Sequence, residues 1–131
     1  MAEAQAEGRY HVLLAEDDES IRSTLQSLLQ MKGHTVSIAQ DASETQALLA
    51  AGEYDLIISD YLMPGGGGRE LLRHLEGVTP HPAVIMITGL ADEQLFSDLM
   101  AQGVDRCLSK PFRLASLLAT IEEVMAQHQS G

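Results

Sequence analysis

At 131 residues, with one cysteine and no tryptophan, the chain is one domain's worth of sequence whose core must be largely aliphatic. Its apolar runs stop at about five residues, far short of the ~20 that a membrane span needs, and nothing before Tyr10 resembles an export signal, so a reducing, cytoplasmic setting is expected. A net charge of −11, with Lys32 and Lys110 the two lysines and no basic stripe, repels phosphate backbones and argues against direct nucleic-acid binding.

Residues 1–9 are small and polar and read as a flexible tail or linker, residues 10–127 as the domain, and 128–131 as a short C-terminal tail. The first apolar run, His11–Ala15, leads into Glu16, Asp17 and Asp18. A helix over Ser20–Lys32 follows, with Ile21, Leu25, Leu28 and Leu29 as its buried stripe and Gly33 as its stop. Asp41 and Glu44 have capping-box spacing at the start of a second helix that Gly52 ends. Asp55–Ser59 then runs into Asp60, and Gly65–Gly68 reads as a flexible connection to a third helix over Arg69–Glu76. Ala83–Ile87 runs into Thr88, Asp92 caps a fourth helix closed by Gly103, and Cys107–Ser109 runs into Lys110. Leu114, Leu117, Leu118, Ile121 and Met125 are expected on the inner face of the last helix.

Strand and helix patterns thus alternate five times, which predicts βαβ units and a parallel sheet. Right-handed crossovers make this an α/β three-layer αβα sandwich, and five strands favour the flavodoxin-like (βα)5 order 2-1-3-4-5. In such a sheet ligands bind outside the carboxyl ends of the strands, so Glu16, Asp17, Asp60, Thr88 and Lys110 should share one crevice. Three carboxylates at ~5 Å and an effective dielectric of ~20 repel by roughly 3 kcal/mol per pair, so they take up protons or bind a cation. A hard divalent ion such as Mg²⁺ suits an oxygen donor set, and no histidine–cysteine ligand spacing competes. Lys110, beside Pro111, is expected to project into the same crevice. The four glycines lack the Lys-Ser/Thr pair of a P-loop, so they do not read as a phosphate cradle.

Taken in order, Glu16-Asp17, Asp60 with Met63-Pro64, Thr88 and Lys110-Pro111-Phe112 resemble the receiver domain of bacterial two-component response regulators, a chemotaxis-regulator-like superfamily. The resemblance covers about Tyr10 to Gln127. It implies Asp60 as phosphoryl acceptor, with Thr88 and Lys110 as its catalytic partners. It also implies Mg²⁺, or Mn²⁺ in its place, held by Asp17, Asp60 and the Leu62 backbone carbonyl, with Glu16 acting through water. The phosphoryl donor would be a phosphohistidine on a histidine kinase or histidine phosphotransfer protein. A homodimer through the last two helices and a cis Lys110–Pro111 bond follow from the same resemblance. The chain is then a signalling protein that catalyses its own phosphorylation and slow dephosphorylation, not a conventional turnover enzyme, whether it stands alone or belongs to a larger protein.

Two departures from the family pattern stand out, at three positions. Cys107 stands where receivers usually carry Tyr or Phe, so the switch that pairs this ring with the Thr88 hydroxyl lacks its aromatic arm. Leu62 and Leu90, two residues after Asp60 and Thr88, flank the path of attacking water and can neither orient it nor take its proton, which predicts a slowly hydrolysed acyl phosphate. Two other classes stand beside the receiver reading. A metal-dependent phosphohydrolase is disfavoured because Asp60-Tyr61-Leu62 lacks the second acid of an Asp-x-Asp motif. A phosphorylation-independent interaction module would dock partners through the fourth and fifth helices, where Phe96 and Met100 could be exposed.

Overall fold

In the computed structural model, which describes residues 10–63, 65–90 and 92–130, strands and helices alternate without exception. They are β1 (His11–Ala15), α1 (Glu19–Met31), β2 (Thr35–Ala39), α2 (Ala42–Ala51), β3 (Leu56–Asp60), α3 (Gly68–Leu75), β4 (Ala83–Thr88), α4 (Glu93–Ala101), β5 (Arg106–Ser109) and α5 (Leu114–Ser130). The five strands are parallel and lie in the order β2-β1-β3-β4-β5, as the alternation predicts. The expected tail at residues 1–9, together with Pro64, lies outside the described residues, whereas residues 128–130 of the expected C-terminal tail are helical, because α5 runs on to Ser130.

Alternate residues of the central strands feed two cores. Val12, Leu14, Leu56, Ile58, Ile85 and Ile87 pack with Leu25 and Leu29 of α1 and Leu117, Ile121, Val124 and Met125 of α5. Leu13, Ala15, Ile57, Val84 and Met86 face the other way, against Leu71, Leu72 and Leu75 of α3 and Leu99 of α4. The sheet therefore has helices on both faces, and β1, β3, β4 and β5 deliver their carboxyl ends to one rim.

The helix boundaries follow local chemistry. Asp18, Asp41 and Asp92 cap α1, α2 and α4 by accepting from Ile21, Glu44 and both Gln94 and Leu95 backbone N–H groups, respectively. Glu44 reaches one residue past the cap, accepting from the Gln40 N–H at 2.7 Å instead of from the Asp41 N–H that a capping box would use. Gly33, at φ +95°, lets the chain turn out of α1.

Three expectations need correction. Leu114 is exposed, because α5 only begins there, beyond the sheet; Val124 takes a place in the buried stripe instead. On α1, Ile21 and Leu28 are only half-buried while Arg22 is buried, so the inner face is rotated toward a polar residue. The glycine connection is sterically determined: a Cβ on Gly67 would sit 1.9 Å from the Tyr61 carbonyl oxygen, and one on Gly68 would meet Met86 and Tyr61 at 2.9 Å. The Gly68 N–H donates to that same carbonyl at 2.7 Å, which sets the start of α3 close against the end of β3.

Candidate functional site

The rim gathers Glu16 and Asp17 after β1, Asp60 at the end of β3, Thr88 at the end of β4 and Lys110 after β5. Carboxylate oxygens of Glu16, Asp17 and Asp60 lie within 4.8 Å of one another, although the residues come from two strands. Lys110 Nζ reaches Asp60 Oδ1 at 2.8 Å and Glu16 Oε2 at 3.2 Å, closing a sequence separation of 94 positions in the second pair. Asp60 is only 4% exposed and Glu16 only 1%, whereas Asp17 is exposed.

Each acid is held differently. Glu16 spends its carboxylate on Lys110 and on the Asp18 N–H, 3.1 Å away. Asp60 gives one oxygen to Lys110, and its Oδ2 is buried with no hydrogen-bond partner among the described residues. Asp17 makes no protein hydrogen bond or ion pair among the described residues. A buried orphan carboxylate oxygen beside two other acids is costly without a ligand. The donor set, all oxygen, fits a hard divalent cation. The Leu62 carbonyl also accepts no hydrogen bond among the described residues, so it is free to join such a set.

Burial, and then the neighbouring Glu16 carboxylate, outweigh Lys110 and push the Asp60 carboxyl up to about 8. Burial by itself would lower Lys110; the Asp60 and Glu16 carboxylates overcome it and raise the ammonium above its ordinary value. Without a cation Asp60 is therefore largely the neutral acid near neutral pH while Lys110 stays protonated, and a bound cation would favour the carboxylate form.

Thr88 is buried, and its hydroxyl oxygen accepts from the Leu90 N–H at 3.0 Å, which leaves its hydrogen without a protein acceptor among the described residues. The Lys110 N–H donates to the Thr88 carbonyl at 2.8 Å, locking the ends of β4 and β5 together, and the Lys110–Pro111 bond is cis as expected. Leu62 and Leu90 are 63% and 49% exposed. Cys107 is half-buried in the core shared with α3 and α4, and burial raises its thiol, so it is no reactive thiolate. Its neighbour Arg106 turns the other way, toward Glu123 of α5 at 3.8 Å. Met100 is exposed and Phe96 only half-buried. The residue that sequence reasoning passed over is Arg22; the one signal for it was an arginine set among the leucines of α1.

The sheet order and the pocket of acids beside a lysine define a chemotaxis-regulator-like α/β domain. The family model of the response regulator receiver domain matches residues 12–122, and the chain belongs to that family, the receivers of two-component signalling. It is similar to the response regulator receiver protein CpdR of Brucella abortus, 32% identical over 114 residues that make up 87% of this chain and 95% of that one. A CheY-like receiver domain protein of Methanospirillum hungatei superposes with a TM-score of 0.84 at 28% identity, over 92% of this chain and 96% of the other. The response regulator TrrA of Thermotoga maritima, crystallised with Mg(2+)-BeF, gives 0.75 at 26% identity over 87% and 97%. Against two other curated relatives the chain spans about half their length, 52% and 48%. No helix among the described residues is long and apolar enough to cross a membrane.

Proposed function

We propose that this receiver takes a phosphoryl group from a phosphohistidine of a sensor kinase or phosphotransfer protein onto Asp60, in a Mg²⁺-dependent reaction. The signal then passes on by conformational change or by onward phosphotransfer. The observation that carries this reading is the buried Asp60 carboxyl, gripped on one oxygen by Lys110 and, among the described residues, without a partner on the other, beside Glu16 and Asp17.

An Asp60 oxygen attacks phosphorus, the new O–P bond forms as the P–N bond breaks, and the electron pair returns to the donor imidazole. Lys110 offsets charge on the transferring phosphoryl oxygens, and Thr88 can turn its unused hydroxyl hydrogen toward one of them. Asp17, Asp60 and the Leu62 carbonyl would hold the cation, with Glu16, already committed to Lys110, acting through water. When bound, Mg²⁺ neutralises charge on the phosphoryl oxygens. The two exposed leucines at the rim supply no base for water, so the phosphorylated form should be long-lived.

A groove of about 420 Å³ shares Lys110 and Pro111 with this pocket and is lined by Ile21, Thr24, Leu25, Phe112 and Leu114. A protein that presents an imidazole to Asp60 must touch down beside the rim, and this apolar groove is the surface we assign to it. Ile21→Asp should then slow transfer from a phosphorylated donor protein while leaving uptake from acetyl phosphate unchanged.

The deciding experiment is intact-mass analysis after incubation with Mg²⁺ and acetyl phosphate. One added phosphoryl group, absent without Mg²⁺ and in Asp60→Asn, supports the reading. A folded protein that takes up none would instead be a phosphorylation-independent interaction module.

A further inference from the structure

Arg22 is buried at 9% exposure on the inner face of α1 and belongs to no part of the phosphoryl-transfer chemistry. Burying a guanidinium is expensive unless it is bonded. Yet among the described residues Arg22 forms no ion pair, although acidic side chains crowd the nearby rim. Its Nη1 instead donates to a neutral group, the Glu16 backbone carbonyl, at 3.0 Å. The arginine is spent on a backbone atom, and the reason lies in where that atom sits.

The Glu16 N–H still follows the ladder, donating to the Ala39 carbonyl at 3.0 Å, but the chain then leaves the sheet and its carbonyl has no strand to bond. Arg22 Nη1 replaces that partner. The carbonyl lies in the Glu16–Asp17 peptide plane, so holding it fixes the direction from which both side chains start. On the far side of Asp17 the turn is pinned as well. The Asp18 N–H donates to Glu16 Oε2 at 3.1 Å, the Asp18 carboxylate accepts from the Ile21 N–H at 2.9 Å, and the Asp18 carbonyl accepts from the Arg22 N–H at 2.9 Å. Between these clamps stands Asp17, which has no side-chain partner among the described residues, so that its backbone sets its aim.

We propose that Arg22 is a positioning residue for the cation site: its clamp on the Glu16 carbonyl aims Asp17, and with it Glu16, at the ion. This rests on the Mg²⁺ reading above. The proposal separates cleanly from a charge-balancing role by sign. Taking a positive charge away from near an acidic pocket should tighten cation binding, whereas releasing the clamp should weaken it.

Arg22→Met, which keeps an apolar stem, and Arg22→Gln, whose amide is too short for the carbonyl, are the tests, with Arg22→Lys as the conservative rescue. Mg²⁺ affinity is read by calorimetric titration, and the fold by backbone amide spectra of β3 and β4. We expect about a tenfold loss in Met and Gln, the scale typical of groups that orient metal ligands, and recovery of most of it in Lys. In metal-free protein the Asp17 and Asp18 amide resonances should move in Met and Gln and return toward wild type in Lys. A folded Met or Gln variant that binds Mg²⁺ as tightly as wild type, or more tightly, overturns the proposal. Wild-type protein that binds no Mg²⁺ overturns the cation reading itself; unmoved Asp17 and Asp18 amides in the variants overturn the clamp independently of it.

Discussion

Consider Asp60→Asn in metal-free buffer. The wild-type carboxyl titrates near 3.8 when unfolded and is pushed up to about 8 in the fold, chiefly by burial. Between those values the unfolded chain has released a proton that the folded chain keeps. Stability therefore falls as pH rises, by about 1.4 kcal/mol per pH unit, or roughly 3 kcal/mol from pH 5 to pH 7. Asparagine carries no such term. Its Oδ1 can still accept from Lys110, but its Nδ2 takes the place of the buried, partnerless Asp60 Oδ2 and leaves donors unsatisfied, a cost of about 1–3 kcal/mol. The two proteins should therefore be close in stability near pH 5, with Asp60→Asn ahead by ~1–3 kcal/mol at pH 7 to 8, or several degrees in Tm. Urea unfolding followed by circular dichroism in EDTA at pH 5, 6, 7 and 8 measures the gap. Adding Mg²⁺ should raise wild type and narrow the difference, because an ion that binds only the folded state stabilises it by mass action. A gap that stays constant over this pH range, or a wild type more stable than Asp60→Asn at pH 7.5 in EDTA, would refute the argument.

Three further outcomes can be checked. Leu62→Asn or Leu90→Glu should shorten the aspartyl-phosphate half-life by tenfold or more on the scale of general-base effects; a wild-type half-life of seconds in Mg²⁺ buffer would contradict the long lifetime expected where neither position can activate water. Gly67→Ala should cost ~3 kcal/mol or more in chemical denaturation, since its Cβ cannot share space with the Tyr61 carbonyl oxygen. His34 is buried, stacks on Tyr10 and accepts the Tyr10 N–H at 3.0 Å through Nδ1; burial lowers its pKa below 6.5. Stability linked to it is present above pH 6.5 and lost as pH falls further, so the acid limb of the unfolding profile should flatten in His34→Asn.

Much of this protein is legible without coordinates because its signals are local. An apolar run that ends on Asp60, or an aspartate three residues before a glutamate at the head of α2, acts through bonds within a few residues of itself, and the structure places both as the pattern predicts. The parallel order follows from alternation, since strands linked by helices must cross over the sheet. What folding decided is how the acids divide their work. Glu16 and Asp17 are adjacent and chemically alike, yet one is buried on Lys110 and the other stands open, a difference made by a lysine 94 positions away. The orphaned oxygen of Asp60, the crowding at Gly67 and the exposure of Leu114 have the same origin. So does the turn of Arg22 inward to a carbonyl that the sheet had left unpaired. Each depends on a distance between segments that the chain alone does not set, because burial and charge are properties of the assembled rim and not of any one residue.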